Sequence, residues 1–366
     1  MFVLDIVNVQ VNNKMDRMFR FKREGRMAHL FSNRVTELFG TNLPVVAGGL
    51  MWLADADYVA AAGRAGIIGF ITAASHSSTA SLRDEIAKCQ DLVEGKPFGV
   101  NISMLPAPSP SERIEETLDL ILEAGVRFVE TSGRTPEPYL PSLHAAGVKV
   151  LHKASSIRHA LKAQAIGVDA VSVVGAECGG HPGVDLIGTM VQGALAGRAF
   201  DIPVLLGGGI GTGAQVLAAL ALGVDGVTIG TRFLVAEEIW AHPHYKEALV
   251  RASAADTQLI MQSVRNTVRA FKNETTAAVL ELERVQGGDF ELLRPHVAGV
   301  VGRKVYETGD SSHGAVSLGQ AIGFADRVEP LYEIVQRIEA EMIAAVGALR
   351  KFSAFKSDAE SSVALA

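Results

Sequence analysis

The stretch Ile166-Gly-Val-Asp-Ala-Val-Ser-Val-Val174 and its echo Leu222-Gly-Val-Asp-Gly-Val-Thr-Ile229 decide the fold. Each opens on a glycine where a helical pattern stops, then runs into a short, nearly continuous apolar strand. Glycine closes helices because it accepts the left-handed conformation. An apolar run without alternation is what a strand needs when helices cover both faces of a parallel sheet. Shorter forms of the phrase, Ala124-Gly-Val and Ala146-Gly-Val, stand before the runs 127–131 and 149–153.

The same unit repeats from residue 43 to 229. Strands are expected at 43–47, 66–70, 98–102, 127–131, 149–153, 169–174, 202–206 and 225–229. Helical patterns fill 55–65, 79–92, 111–124, 136–146, 156–166, 185–199 and 214–222 between them. This series of eight strands predicts an α/β chain folded as a closed (β/α)8 TIM barrel, not an open doubly wound sheet.

Beyond Phe233 the rhythm changes. The sequence from about 239 to 285 reads as helical without strands, Gly287-Gly288 breaks it, and 309–319 is a Gly- and Ser-rich loop. One long amphipathic helix is expected over 329–351. The division expected is an N-terminal disordered extension at 1–28, the barrel at 29–242, a mainly helical cap or second domain at 243–352, and a disordered tail at 353–366. Met27 is a candidate natural start.

Composition narrows the function. The chain has 366 residues, 48% hydrophobic, with 37 glycines, which suits a filled core and many tight turns. A net charge of −6 gives no general attraction to phosphate backbones or anionic membranes, so nucleic acid and membrane are not expected partners. No apolar run reaches the roughly 18 residues of a bilayer span, and the N-terminus is a poor signal peptide, so the chain reads as cytoplasmic. The two cysteines, Cys89 and Cys178, form no disulfide framework and carry no metal-ligand spacing, so no metal is expected.

In a (β/α)8 barrel the active site lies at the C-terminal strand ends. Gly48-Gly49, Asn101, Ser103, Glu130, Thr131, Lys153, Ser172, His181, Gly207-Gly208-Gly209 and Gly230-Thr231 all fall there. The turns after strands seven and eight suit a phosphate grip built from backbone N–H groups. The alternative for 209–214, a G-x-G-x-x-A dinucleotide fingerprint, needs an early βαβ unit and a following acid. His181 sits in Gly179-Gly-His-Pro-Gly183, where it is either a proton-transfer group or a turn histidine. Lys153 is either a cation in the mouth or a surface lysine. His152 alternates with it and is expected to face the helix layer. Met51 and Trp52 either wall an apolar pocket or pack in the core.

These motifs resemble the nitronate monooxygenase (2-nitropropane dioxygenase) family, close to its NADH:quinone reductase branch. The resemblance runs from about residue 31 to 347 and rests on Val46-Ala-Gly-Gly-Leu-Met-Trp52, Gly99-Val-Asn-Ile-Ser103, His152-Lys153, Glu177-Cys-Gly-Gly-His-Pro-Gly183, Gly207-Gly-Gly-Ile210 and Ile229-Gly-Thr-Arg-Phe233. It implies an FMN-dependent oxidoreductase that takes alkyl nitronates and O2 to carbonyl compounds and nitrite. The alternatives it implies are NAD(P)H:quinone reduction and enoyl-acyl-carrier reduction. By the same resemblance His181 is the catalytic residue. Gly49, Leu50, Met51, Asn101, Ser103, Lys153, Gly180, Gly207, Gly208, Gly209, Gly230 and Thr231 hold the cofactor. A small-molecule substrate, nitronate or quinone, is the expected partner, with NAD(P)H as electron donor in the second case. A homodimer is compatible with this reading. Where relatives carry a glutamine beside the first glycine pair, this chain has Ala47 and Met51.

Overall fold

A computed structural model describes residues 31–104 and 112–352. The extension expected at 1–28, the tail at 353–366 and most of the Pro-rich loop after the third strand lie outside the described residues. Eight parallel strands close into a barrel in sequence order: β1 Val45–Ala47, β2 Ile68–Thr72, β3 Gly99–Met104, β4 Phe128–Gly133, β5 Lys149–Ala154, β6 Ala170–Val174, β7 Val204–Gly207 and β8 Gly226–Ile229. β8 returns to β1 in the register Val46↔Thr228, which seals the ring. Helices α2 Ala56–Arg64, α3 Thr79–Leu92, α4 Ile114–Glu123, α5 Leu140–Ala145, α6 Ile157–Ala165, α7 Thr189–Ala196 and α8 Gly213–Ala221 follow the strands. They are numbered from α1 Arg34–Phe39, which precedes β1.

The repeated Gly-Val-Asp phrase has one structural job done twice. Asp169 accepts the Val150 N–H of β5 at 2.9 Å, and Asp225 accepts the Val204 N–H of β7 at 2.9 Å. The aspartate N–H groups return bonds to the same partners' carbonyls at 3.0 and 2.8 Å. Gly167 and Gly223, at φ of +97° and +98°, turn the chain from helix to strand just before each aspartate.

Strand alternation separates an apolar floor from a polar mouth. Phe70, Phe128, Leu151, Ala170 and Leu205 are buried together at the floor, and α1 plugs the bottom with Val35 and Phe39. Phe39 meets Phe128 edge-on at 5.4 Å. Two residues farther along, the same faces carry Glu130, Lys153 and Ser172. At that level Ser172 and Thr228 share a buried hydroxyl hydrogen bond of 2.8 Å.

The C-terminal part is helical: α9 Pro243–Arg251, α10 Glu274–Gln286, α11 Phe290–Val297, α12 Gly299–Thr308 and α13 Leu331–Leu349. One departure matters. Within the stretch expected to be helical throughout, 257–271 instead forms an antiparallel ribbon of β9 Thr257–Ile260 and β10 Val268–Phe271. Its β-branched and apolar residues, Thr257, Ile260 and Val268, favour a half-buried pleated surface. Met261 and Arg265 turn the chain between the strands at positive φ. Helix α13 packs on α8 and α2 of the barrel, and Glu341 accepts the Gly213 N–H at the start of α8. Before α13, the buried Glu329 carboxylate binds buried Arg232 at 3.0 Å, and also Arg327 and Arg337. This ties the segment after β8 to the last helix. Among the described residues no helix is long and apolar enough to cross a membrane.

Candidate active site

A buried carboxylate anchors the polar mouth. Glu130 is fully buried and accepts from Asn101 Nδ2 at 2.5 Å, from the Gly49 N–H at 3.3 Å and from Lys153 Nζ at 3.4 Å. Four of the expected positions, from β3, β5 and the turn after β1, thus meet: Gly49, Asn101, Lys153 and, through the Ser103 hydroxyl donating to Asn101 Oδ1 at 3.1 Å, Ser103. Glu130 itself was read only as a strand-end polar residue. Its signal was an acid two residues beyond the apolar floor residue Phe128, where an unpaired charge would be very costly. His152, in register with Thr131 and opposite in direction to Lys153, takes a buried 2.9 Å hydrogen bond with the Thr131 hydroxyl. Burial drives its pKa down to about 4, which suits a neutral structural imidazole.

On the opposite side, the turns after β7 and β8 offer backbone donors. Gly208 and Gly209 hold φ of +101° and +68°. Any Cβ at 208 would lie 2.8 Å from Thr189 Oγ1 and 2.9 Å from the Gly175 carbonyl. Among the described residues, no protein acceptor takes the N–H groups of Gly208, Gly209, Gly230 or Thr231. Consecutive donors in such a turn are the chemistry of an anion-binding nest. Gly207 is the buried last residue of β7, and Leu50 leans toward Gly230, where an added Cβ would lie 3.5 Å from Leu50 Cδ2. Met51 is exposed, its sulfur 3.8 Å from the Ser75 hydroxyl on the β2 side.

The loop after β6 is tied to this nest. Glu177 accepts the Thr189 N–H at 2.9 Å and its hydroxyl at 2.7 Å, and Thr189 Oγ1 lies 2.8 Å from the Gly208 carbonyl. The same loop is held from the C-terminal part. Gly180 pairs with Arg269 of β10, Gln320 donates its N–H to the Glu177 carbonyl at 2.9 Å, and the Gly319 N–H donates to Thr231 Oγ1 at 2.9 Å. The loop carries His181, which is exposed to solvent on one side. The mass of protein around it lowers its pKa, a hydrogen bond with the Asn266 side chain opposes that, and Lys153 lowers it further. The imidazole is therefore neutral near pH 7 and able to accept a proton. Burial pushes the thiol of the neighbouring Cys178 up to about 12, which disfavours the thiolate a nucleophile needs. Glu177, Thr189, Asn266 and Arg269 were not legible as site residues, since their roles depend on contacts between segments far apart in sequence. Among the described residues no group of His, Cys, Asp and Glu is arranged to hold a metal ion.

Comparison with known proteins fits this arrangement. The chain is 36% identical over 259 residues to a (3aS,4S,5R,7aS)-5-hydroxy-7a-methyl-1-oxo-octahydro-1H-indene-4-carboxyl-CoA dehydrogenase of Mycobacterium tuberculosis, covering 69% of this chain and 70% of that protein. It is 35% identical over 223 residues to the protein of the same name in Rhodococcus jostii, of which it spans 61%. FabK from Thermotoga maritima superposes with a TM-score of 0.80 at 30% identity, covering 87% of this chain and 99% of FabK. A nitroalkane oxidase from Streptomyces ansochromogenes superposes with a TM-score of 0.75 at 26% identity, covering 87% of this chain and all of that one. The family model described as nitronate monooxygenase matches residues 32–341, and with nearly the whole barrel and C-terminal part inside that match the chain belongs to the nitronate monooxygenase family of oxidoreductases.

Proposed function

We propose that this chain is an FMN-dependent oxidoreductase that oxidises nitronates, with His181 as its substrate-facing residue. Membership of the family implies a flavin. The observation that carries the reading is the pairing of a partnerless N–H nest at Gly208–Gly209 and Gly230–Thr231 with a lysine across the mouth that shares a fully buried carboxylate. A mononucleotide needs those features: a phosphate on backbone donors, and a cation near the ring where negative charge develops. Bound there, the flavin would supply two-electron acceptance from substrate and reoxidation by O2.

The remaining steps belong to the protein. Neutral His181 takes the α-proton of a neutral nitroalkane. For a preformed nitronate it orients the anionic oxygens by a charge-assisted hydrogen bond. Glu130 fixes the Gly49 N–H, Asn101 and Lys153 in one geometry, so the mouth needs little reorganisation as charge shifts. The C-terminal segment 317–320 and the ribbon β9–β10 fix the His181 loop from outside the barrel.

A second reading is oxidoreduction of an acyl thioester, favoured by the 36% identity to a relative named as a carboxyl-CoA dehydrogenase. NAD(P)H:quinone reduction is the third candidate. Anaerobic mixing of the flavin-loaded protein with propionate-3-nitronate, NADH and NADPH in turn separates the first reading from the other two. Rapid bleaching by nitronate alone supports the first reading. Bleaching by a nicotinamide but not by nitronate replaces it.

A further inference from the structure

Both tryptophans of the chain, Trp52 and Trp240, line one cavity of about 270 Å³. It lies at the C-terminal face of the barrel, between the segments that follow β1 and β2, and Arg303 of α12 borders it. Trp52 follows Gly49 by three positions, so the cavity adjoins the candidate active site in the chain. Its backbone sits at φ +70°, a conformation a bulky residue adopts only when its surroundings impose it. Three elements impose it here. The Trp52 N–H donates to Ser75 Oγ at 2.7 Å, its carbonyl accepts from Trp240 Nε1 at 2.7 Å, and the Arg303 guanidinium lies 5.2 Å from the indole centre. Such convergence on a strained residue marks a site better than it marks a loop.

The lining also carries polar groups: Ser75, His76, Ser77, Ser81 and Asp55 stand beside Arg303. Arg303 spends Nε on Glu307 at 2.9 Å, which leaves its two Nη groups to donate. Asp55, whose Oδ1 caps α2 through the Tyr58 N–H, lines the same cavity and supplies an acceptor. Flat aromatic surface, a donating cation and one acceptor together match a base with an amino edge and an attached phosphate.

We infer that this cavity binds the adenosine-phosphate end of an ADP-bearing co-substrate. Its base would lie against Trp240 with its amino group toward Asp55, and a phosphate would take Arg303. The inference deepens the oxidoreductase reading and rests on it, since acyl-CoA thioesters and NAD(P)H both carry this group.

Because these are the only tryptophans, their emission reports on this cavity alone. The flavin-loaded protein is titrated anaerobically with ADP, CoA and NADH while tryptophan emission is followed, with equilibrium dialysis of labelled ADP in parallel. Saturable binding of ADP is expected, weakened about tenfold or more in Arg303→Gln by loss of a charge-assisted contact. The Arg303–Glu307 pair is a half-exposed i,i+4 bridge of little structural worth, and denaturant unfolding of Arg303→Gln beside the native protein checks that losing its contact with Trp52 leaves the fold intact. Tighter binding of CoA than of NADH assigns a thioester as the source, and the reverse assigns a nicotinamide donor. Absence of saturable binding by both methods, or equal ADP affinity in Arg303→Gln, overturns the inference. Neither readout needs turnover, so a protein that binds ADP yet fails to oxidise nitronates contradicts the proposed function and leaves this site standing.

Discussion

Gly180 and Arg269 exchange two backbone hydrogen bonds, Gly180 N–H to Arg269 carbonyl at 3.1 Å and Arg269 N–H to Gly180 carbonyl at 2.7 Å. This single bridge makes the loop that carries His181 an extra strand-like edge on the ribbon β9–β10. Arg269 adds side-chain bonds to the Ala176 carbonyl at 3.0 Å and to Thr257 Oγ1 at 3.2 Å. The His181 loop is thus fixed by the C-terminal part as much as by the barrel.

Two neighbouring glycines in that loop should respond differently to one methyl group. Gly180→Ala meets open space, with Ser317 Oγ at 3.6 Å, and incurs only the strain of φ +80°. That cost is about 1–2 kcal/mol. Gly179→Ala would push a Cβ to 2.7 Å from the Gly319 N and 2.9 Å from the Leu318 carbonyl carbon, so segment 317–320 must move. Denaturant unfolding should give the larger loss for Gly179→Ala. Equal losses would mean that the packing of 317–320 against this loop contributes nothing.

The buried pair Glu130–Lys153 makes an asymmetric prediction. Lys153→Met leaves a fully buried carboxylate without its cation and should cost about 3–5 kcal/mol. Glu130→Gln leaves a lysine that is a quarter exposed and can reach water, so the loss should be clearly smaller. Chemical denaturation of both variants checks the order.

His152 gives stability a pH dependence. Its folded pKa of about 4 lies below the ordinary 6.5, so the folded state binds fewer protons than the unfolded one between those values. Its contribution is complete above pH 6.5 and falls away as pH drops toward 4, by up to about 3 kcal/mol. His152→Gln, which keeps a partner for Thr131, should flatten the stability profile across that window.

The barrel and its mouth were legible because their logic is local. Glycine-closed helices feed two-sided apolar strands, and a polar residue two places past each floor residue must point into the mouth. The ribbon at 257–271 was not legible, because its short strands carry helix-compatible residues such as Gln258, Leu259 and Ala270, and pairing with each other and with Gly180 and Ser317 fixes them as β. Nor could Glu130 be separated from other strand-end polar residues, since its partners lie on β3, on β5 and in the turn after β1. The repeated aspartates Asp169 and Asp225 were seen as a phrase, while their hydrogen bonds across the neighbouring strand were not.

The proton-transfer role of His181 carries a pH signature. The protein packed around it and Lys153 lower its pKa, so turnover of a neutral nitroalkane should rise with pH through a midpoint below 6.5 and be level at pH 7. Removing the positive charge in Lys153→Met should move that midpoint upward. A midpoint that stays put would sever the two residues.

The most direct test of the account is stopped-flow anaerobic reduction of the bound flavin by a neutral nitroalkane, in the native protein and in His181→Asn. A rate at least 100-fold lower is expected in the variant, the lower end of what a positioned general base contributes, with flavin content unchanged. An unchanged rate with full flavin occupancy would contradict the assignment of His181 as the group that receives the proton.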